Sequence, residues 1–264
     1  MPKLRVDQLL VTRGLVESRN LAQRMVMAGQ VRADGQLITK PSTRVPEEAN
    51  LQVAQLPRYV SRGGQKLEAA LESFGVSVAG KVCADVGAST GGFTDCLLQS
   101  GAERVYAIDV GQGILHWKLR QDPRVVVMEG TNARYLERLP EPVQLVTVDA
   151  SFISLKLLLP VIRNWLPDSE GEAIALIKPQ FETDRNTINR GAGVVRDPAI
   201  HRQVLVAVLE FAQSQGFGLE GLIRSPLLGP KGNTEFLAWM RNAGPGVPDW
   251  EDLVEAVLGE NSNR

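Results

Sequence analysis

V-C-A-D-V-G-A-S-T-G-G-F-T-D, residues 82–95, is the stretch on which the chain turns. An apolar run ends at Asp85, glycines follow at Gly87, Gly91 and Gly92, and an apolar helical pattern begins at Phe93 and continues through Leu97 and Leu98. That order reads as a strand, a tight turn and the start of a helix. Glycine lets the backbone pass close beneath a ligand, and the free N–H groups of a helix start favour polar or anionic ligand groups. Asp85, Gly87, Ala88, Ser89, Gly91, Gly92 and Phe93 are therefore the expected cradle of a nucleotide-like cofactor. The spacing departs from G-x-G-x-x-G and no lysine follows the glycines, which counts against NAD and ATP. The alternative is a turn that binds nothing.

Downstream, strand and helix patterns alternate, with strands near 82–86, 104–109, 124–128, 144–149 and 172–178. Alternation of this kind predicts an α/β fold with a parallel doubly wound sheet and ligands at the carboxyl ends of its strands. Asp85, Asp109 and Asp149 each stand at such an end, Asp109 about where an acid reaches a ribose, and Asn132 and Ala133 follow the third strand, where an adenine is expected. After a helix near 198–215, two apolar segments at 217–223 and 235–240 are separated by S-P-L-L-G-P-K-G-N-T, too short for a helix, so they should pair antiparallel. A mostly parallel seven-stranded sheet ending in an antiparallel hairpin resembles the class I methyltransferase fold, a Rossmann-like architecture, and points to S-adenosyl-L-methionine as the cofactor. Residues 183–197 form a long loop carrying Arg185, Arg190 and Arg196 over the site, either a substrate clamp or an ordinary mobile loop.

Upstream, apolar positions at Leu4, Leu9, Leu10 and Val11 predict a first helix over 4–11, stopped at Gly14. A second is expected from Ser18 as N-cap, burying Leu21, Met25 and Val26, with a hairpin turning at Asp34-Gly35 after it. Residues 1–58 hold nine Lys/Arg against five acids, a surplus that suits a polyanionic partner. R-V-D-Q-L-L-V-T-R-G-L-V-E-S-R-N-L-A-Q-R-M-V-M-A-G-Q-V-R-A-D-G, residues 5–35, resembles the S4 RNA-binding domain. That resemblance implies Arg5, Arg19, Arg24, Arg32 and Lys40 as phosphate contacts, with Arg62 and Arg190 added from the body; a basic face that is merely solvated is the alternative. The organisation expected is an S4-like α+β domain at 1–58, a linker at 59–65, a catalytic body at 66–242 and an acidic tail at 243–264, with a short amphipathic helix over 249–258.

The net charge of −1 over 264 residues identifies no partner globally. Cys83 and Cys96 lie in apolar patterns without metal-ligand spacing, and the chain has two histidines, so neither a zinc site nor a disulfide framework is expected. With no membrane-length apolar run and no signal-peptide pattern, the expectation is a cytoplasmic protein that needs neither membrane nor metal.

Lys66 sits on a helix before the sheet, away from the stripe of Leu67, Ala70, Leu71 and Phe74, and taken alone reads as a solvated lysine. Asp149, Lys178 and Glu235 fall at neighbouring strand edges. The body resembles the FtsJ-type ribose 2′-O-methyltransferases, whose Lys-Asp-Lys-Glu tetrad occurs in this order, and that resemblance brings Lys66 to the same site. D-V-G-A-S-T-G-G-F-T-D, V-D-A-S-F-I-S-L, K-P-Q-F-E and G-N-T-E-F, together with the S4-like head, closely resemble the TlyA family of ribosomal RNA 2′-O-methyltransferases. The resemblance implies ribosomal RNA or ribosomal subunits as partner, Lys66, Asp149, Lys178 and Glu235 as the catalytic set, and Lys178 as the group that positions or deprotonates the 2′-hydroxyl. A non-enzymatic RNA-binding factor, a base methyltransferase and a haemolysin are the competing readings; no motif specifies the modified nucleotide, the subunit or the oligomeric state.

Overall fold

The computed structural model describes residues 2–16, 18–53, 58–168, 170–184, 187–188 and 191–259. They fall into two compact units, Met1–Arg58 and Tyr59–Arg264.

The first unit runs β1 (Lys3–Arg5), α1 (Val6–Thr12), α2 (Arg19–Met27), β2 (Val31–Ala33), β3 (Gln36–Ile38), β4 (Arg44–Pro46) and β5 (Leu51–Val53). The Ser18 hydroxyl accepts from the Leu21 amide and caps α2 as the sequence predicts. Asp34 (φ 48°) and Gly35 (φ 80°) supply the two left-handed positions of a tight hairpin turn between β2 and β3. Val6, Leu9, Leu10, Met25, Val26 and Val31 pack into one core. Two expectations change. Leu4 pairs with Val45 in the β1–β4 ladder, so the first helix starts at Val6 rather than at residue 4. The stretch from 41 onward, where Pro41, Pro46 and Pro57 and the lack of periodicity predict irregular chain, contributes β4 and β5, the latter paired to β2. Strands of three residues are too short to show a period in sequence, and pairing with distant partners fixes them.

The second unit begins with α3 (Gly63–Phe74), so the stretch expected as a linker at 59–65 already belongs to folded structure, with Tyr59 buried in a core cluster. There follow β6 (Val82–Val86), α4 (Gly92–Gln99), β7 (Arg104–Asp109), α5 (Trp117–Arg120), β8 (Val125–Glu129), β9 (Leu145–Val148), α6 (Leu159–Arg163), β10 (Glu172–Ile177), α7 (Pro179–Glu182), α8 (Pro198–Ser214), β11 (Phe217–Arg224), β12 (Phe236–Asn242) and α9 (Trp250–Gly259). The seven strands lie in the order β11-β12-β10-β9-β6-β7-β8, with β12 antiparallel to both neighbours and the other pairings parallel.

Alternate strand residues enter two separate cores. Ala84, Ile108, Val146 and Ala175 join Leu159, Val204 and Val208 of the helices on one face. Cys83, Val105, Leu145 and Ile174 join Leu67, Phe93 and Leu97 on the other. Burial on both faces explains the continuous apolar runs of the central strands. The acidic tail forms α9, which buries Trp250, Val254 and Val257 in the first of these cores.

Candidate active site

The glycine-rich turn is shaped by close approach. Gly87 (φ 84°), Ser89 (φ 50°) and Gly91 (φ 99°) occupy the left-handed region, which folds the chain sharply between β6 and α4. A Cβ on Gly87 would stand 2.8 Å from the Asp149 carbonyl oxygen, and one on Gly92 2.9 Å from the Gly64 amide nitrogen. The turn therefore passes between the end of β9 and the start of α3. Its glycines let α3 dock against it, and α3 carries Lys66.

At the carboxyl ends of β6, β9 and β10 lies a cleft of about 870 Å³ in which Lys66, Asp149, Lys178 and Glu235 all take part. Lys66 Nζ donates to Glu235 Oε2 at 2.5 Å. Lys178 Nζ stands 2.6 Å from Asp149 Oδ1 and donates to Ser151 Oγ at 2.9 Å. Gln180, the second residue of α7, donates through Nε2 to Glu235 Oε1 at 3.5 Å, a long contact between the two halves of the set. Lys66, Lys178 and Glu235 are buried, Asp149 half-buried. The solvated reading of Lys66 is overturned: its helix leaves it between the apolar stripe and the hairpin, and Glu235 compensates its charge.

Of the residues expected at a cofactor, Gly87, Ala88, Ser89, Gly92 and Phe93 line this cleft. The other five do not. Asp85 is fully buried beneath the turn, where it accepts from Thr94 Oγ1 at 2.6 Å, and burial pushes its carboxyl up to about 7. Gly91 packs against Leu115 and Leu119. Asp109 accepts from the amides of Ser89 (2.8 Å) and Gly111 (2.7 Å), bracing the turn from β7. Asn132 caps the short helical turn after β8 by accepting from the Arg134 amide at 3.1 Å, and Ala133 is buried in the core.

Among the residues expected to meet RNA, Arg62 lines the cleft. Arg24, Arg32 and Lys40 are exposed on the first unit, Arg32 donating to the Gly35 carbonyl, whereas Arg5 and Arg19 both contact Asp7. Arg190, like Arg185, lies outside the described residues. From the loop at 183–197, Thr183, Ile188 and Gly193 reach the cleft.

Several cleft residues carry no sequence assignment. Phe152 is 91% exposed, holds a left-handed φ of 63° and tilts against Phe181 with ring centroids 5.0 Å apart. Glu182 accepts from Ser154 Oγ and the Leu155 amide, stapling α7 to the loop that carries Ser151 and Phe152. Asn233, buried, accepts from the Val195 amide at 2.9 Å and donates to the Gly193 carbonyl at 3.0 Å, while His201 Nε2 donates to the Val195 carbonyl at 3.0 Å. The segment 193–195 is thus held from both sides. Phe152 stood inside the quoted D-A-S-F and Asn233 inside G-N-T-E-F, but only the folded chain shows what each touches.

Comparison with known proteins adds three findings. Residues 59–242 match the family model of the FtsJ-like methyltransferase, and residues 4–51 that of the S4 domain. The chain is 46% identical over 259 residues to the 16S/23S rRNA (cytidine-2′-O)-methyltransferase TlyA of Mycobacterium tuberculosis, covering 97% of this chain and 96% of that protein. It is 48% identical over 264 residues to a Bacillus subtilis protein provisionally named rRNA methyltransferase YqxC, covering 97% and 92%. A solved Streptococcus thermophilus structure, provisionally described as a hemolysin, superposes with a TM-score of 0.75 at 45% identity over 98% of this chain and 96% of that one. Among the described residues, no helix is long and apolar enough to cross a membrane.

Proposed function

Since the chain belongs to the FtsJ-like methyltransferase family and carries an S4 domain at its head, we propose that it methylates a ribose 2′-hydroxyl of ribosomal RNA, using S-adenosyl-L-methionine. The observation that carries this reading is the Lys178–Asp149 pair, 2.6 Å apart in a cleft also lined by the glycine-rich turn. About 870 Å³ falls within the range of sites that enclose small ligands and cofactors. The turn offers backbone rather than bulk at Gly87 and Gly92, which fits a nucleoside cofactor laid against it.

The sulfonium cofactor supplies an activated methyl group with a good leaving group, so the chain's residues must orient the hydroxyl and manage its proton. Lys178 Nζ is the group for that task. Asp149 and Ser151 fix its direction, and the amine either accepts the hydroxyl proton when neutral or, when charged, polarises the hydroxyl while the proton leaves to solvent. Glu235 holds Lys66 and, with Gln180, sets the far wall. Phe152 presents an exposed aromatic face at the mouth, suited to stack a base drawn out of its helix.

The test is transfer of labelled methyl from S-adenosyl-L-methionine to ribosomal subunits from cells lacking the modification, with the RNA then digested to nucleosides. Label in a 2′-O-methylnucleoside supports the reading. Label on a base, or cofactor binding without transfer to ribosomal RNA, overturns it.

A further inference from the structure

The first unit carries more Lys/Arg than acids, yet it buries one of those acids beneath two of its arginines. Asp7, in the first turn of α1, is fully buried, and four hydrogen bonds converge on its carboxylate. Arg5 Nε donates to Oδ1 at 3.0 Å and Arg5 Nη2 to Oδ2 at 3.0 Å. Arg19 Nε at 3.1 Å and Gln23 Nε2 at 3.0 Å also donate to Oδ2. One carboxylate thereby ties β1 to α1 and α2. These charge-assisted bonds, the Arg5 pair foremost, hold its carboxyl well below the usual carboxylate range.

The two guanidiniums are not buried with their anchor. The Arg5 side chain is 34% exposed and that of Arg19 50%. The contacts to Asp7 use Nε and Nη2 of Arg5 and Nε of Arg19, so Nη1 of Arg5 and both Nη groups of Arg19 lie outside them. In the β1–β4 ladder Arg44 stands directly opposite Arg5. Like charges at such positions repel. Two guanidiniums on one carboxylate, with Arg44 opposite Arg5 in the ladder, therefore leave a cationic surplus, and the directions of Arg5 and Arg19 are already fixed. A long, flexible arginine ordinarily loses rotamer freedom when it grips a ligand, and an anchored one has less to lose.

We propose that Asp7 is a positioning residue that holds Arg5 and Arg19 as a paired guanidinium site for a phosphodiester group of the RNA substrate. This rests on the RNA reading above. Charge counting alone gives the opposite sign, because removing a negative charge from a basic surface should strengthen its hold on a polyanion.

The test uses the full-length chain, with binding to ribosomal subunits from cells lacking the modification measured across a range of salt. Asp7→Asn, with folding checked by thermal unfolding, is expected to weaken binding about three- to tenfold despite the added positive charge, and to flatten the dependence of log K on log salt by about one. Arg19→Ala should act in the same direction. Unchanged or tighter binding by Asp7→Asn while Arg19→Ala weakens it overturns the positioning role and leaves RNA on this face. Unchanged binding by Arg19→Ala overturns the proposed site without touching the methyl-transfer assay. If Asp7→Asn does not fold, Arg5→Lys decides: it keeps the charge and loses the two-pronged grip, so weaker binding supports the site and unchanged binding overturns it.

Discussion

Lys66 and Glu235 are 169 residues apart in sequence and 2.5 Å apart in space, with Glu235 only 1% exposed. Their contact fastens α3, ahead of the sheet, to the terminal hairpin behind it. Removing one partner strands a buried charge, so Lys66→Met should cost about 3–5 kcal/mol in denaturant unfolding. Lys66→Met combined with Glu235→Leu should recover much of that loss while methyl transfer stays impaired. A single variant as stable as wild type would show that the pair is not closed in solution.

Gly87 limits what the turn tolerates. With φ at 84° and the Asp149 carbonyl 2.8 Å from any Cβ, Gly87→Ala must displace the end of β9. A loss on the order of 2 kcal/mol is expected from the backbone conformation and the collision together. Activity should fall as well, because the displaced residue is the partner of Lys178. Thermal unfolding and the methyl-transfer assay read the two effects separately.

Asn233 anchors the segment beside the cleft. Asn233→Ala removes its bonds to Val195 and Gly193 and should speed amide hydrogen exchange over 193–195 by on the order of tenfold or more. Exchange at wild-type rates there would mean that His201 and packing hold the segment alone.

Asp85 makes stability depend on pH. Burial raises its carboxyl from 3.8 to about 7, so between those values the folded chain keeps a proton that the unfolded chain releases. Stability should therefore decline as pH rises from about 4 to about 7, by an amount on the order of 4 kcal/mol. Asp85→Asn keeps the shape without the titration and should flatten that slope in urea unfolding followed across the range. An unchanged slope would assign it to other groups.

The sheet was legible because each central strand is a short apolar run closed by a turn, and because eleven residues between the last two apolar segments leave no room for a crossover helix. Strands β4 and β5 were not legible, since three residues carry no period and Val45 and Leu51 take their places from β1 and β2. In the site, Asp149 and Lys178 follow from strand ends. Lys66 does not, because its neighbours on the helix say nothing about a carboxylate on the far hairpin, and it entered through the resemblance alone. Asp85 and Ala133 show the converse: each stands at a position suited to a ligand, yet the fold turns both side chains inward. Asp7 reads in sequence as one acid among basic residues, and only packing reveals two guanidiniums meeting on it.

The most direct test of the central claim is single-turnover methyl transfer to unmodified ribosomal subunits by wild type and by Lys178→Met, with cofactor affinity measured in parallel by calorimetry. Loss of the amine should lower the rate by about 10²–10⁴-fold, the usual worth of a positioned acid–base group, with cofactor affinity within about threefold of wild type. A Lys178→Met enzyme that binds cofactor normally and transfers methyl within about tenfold of the wild-type rate would contradict the assignment of Lys178 as the group that handles the hydroxyl.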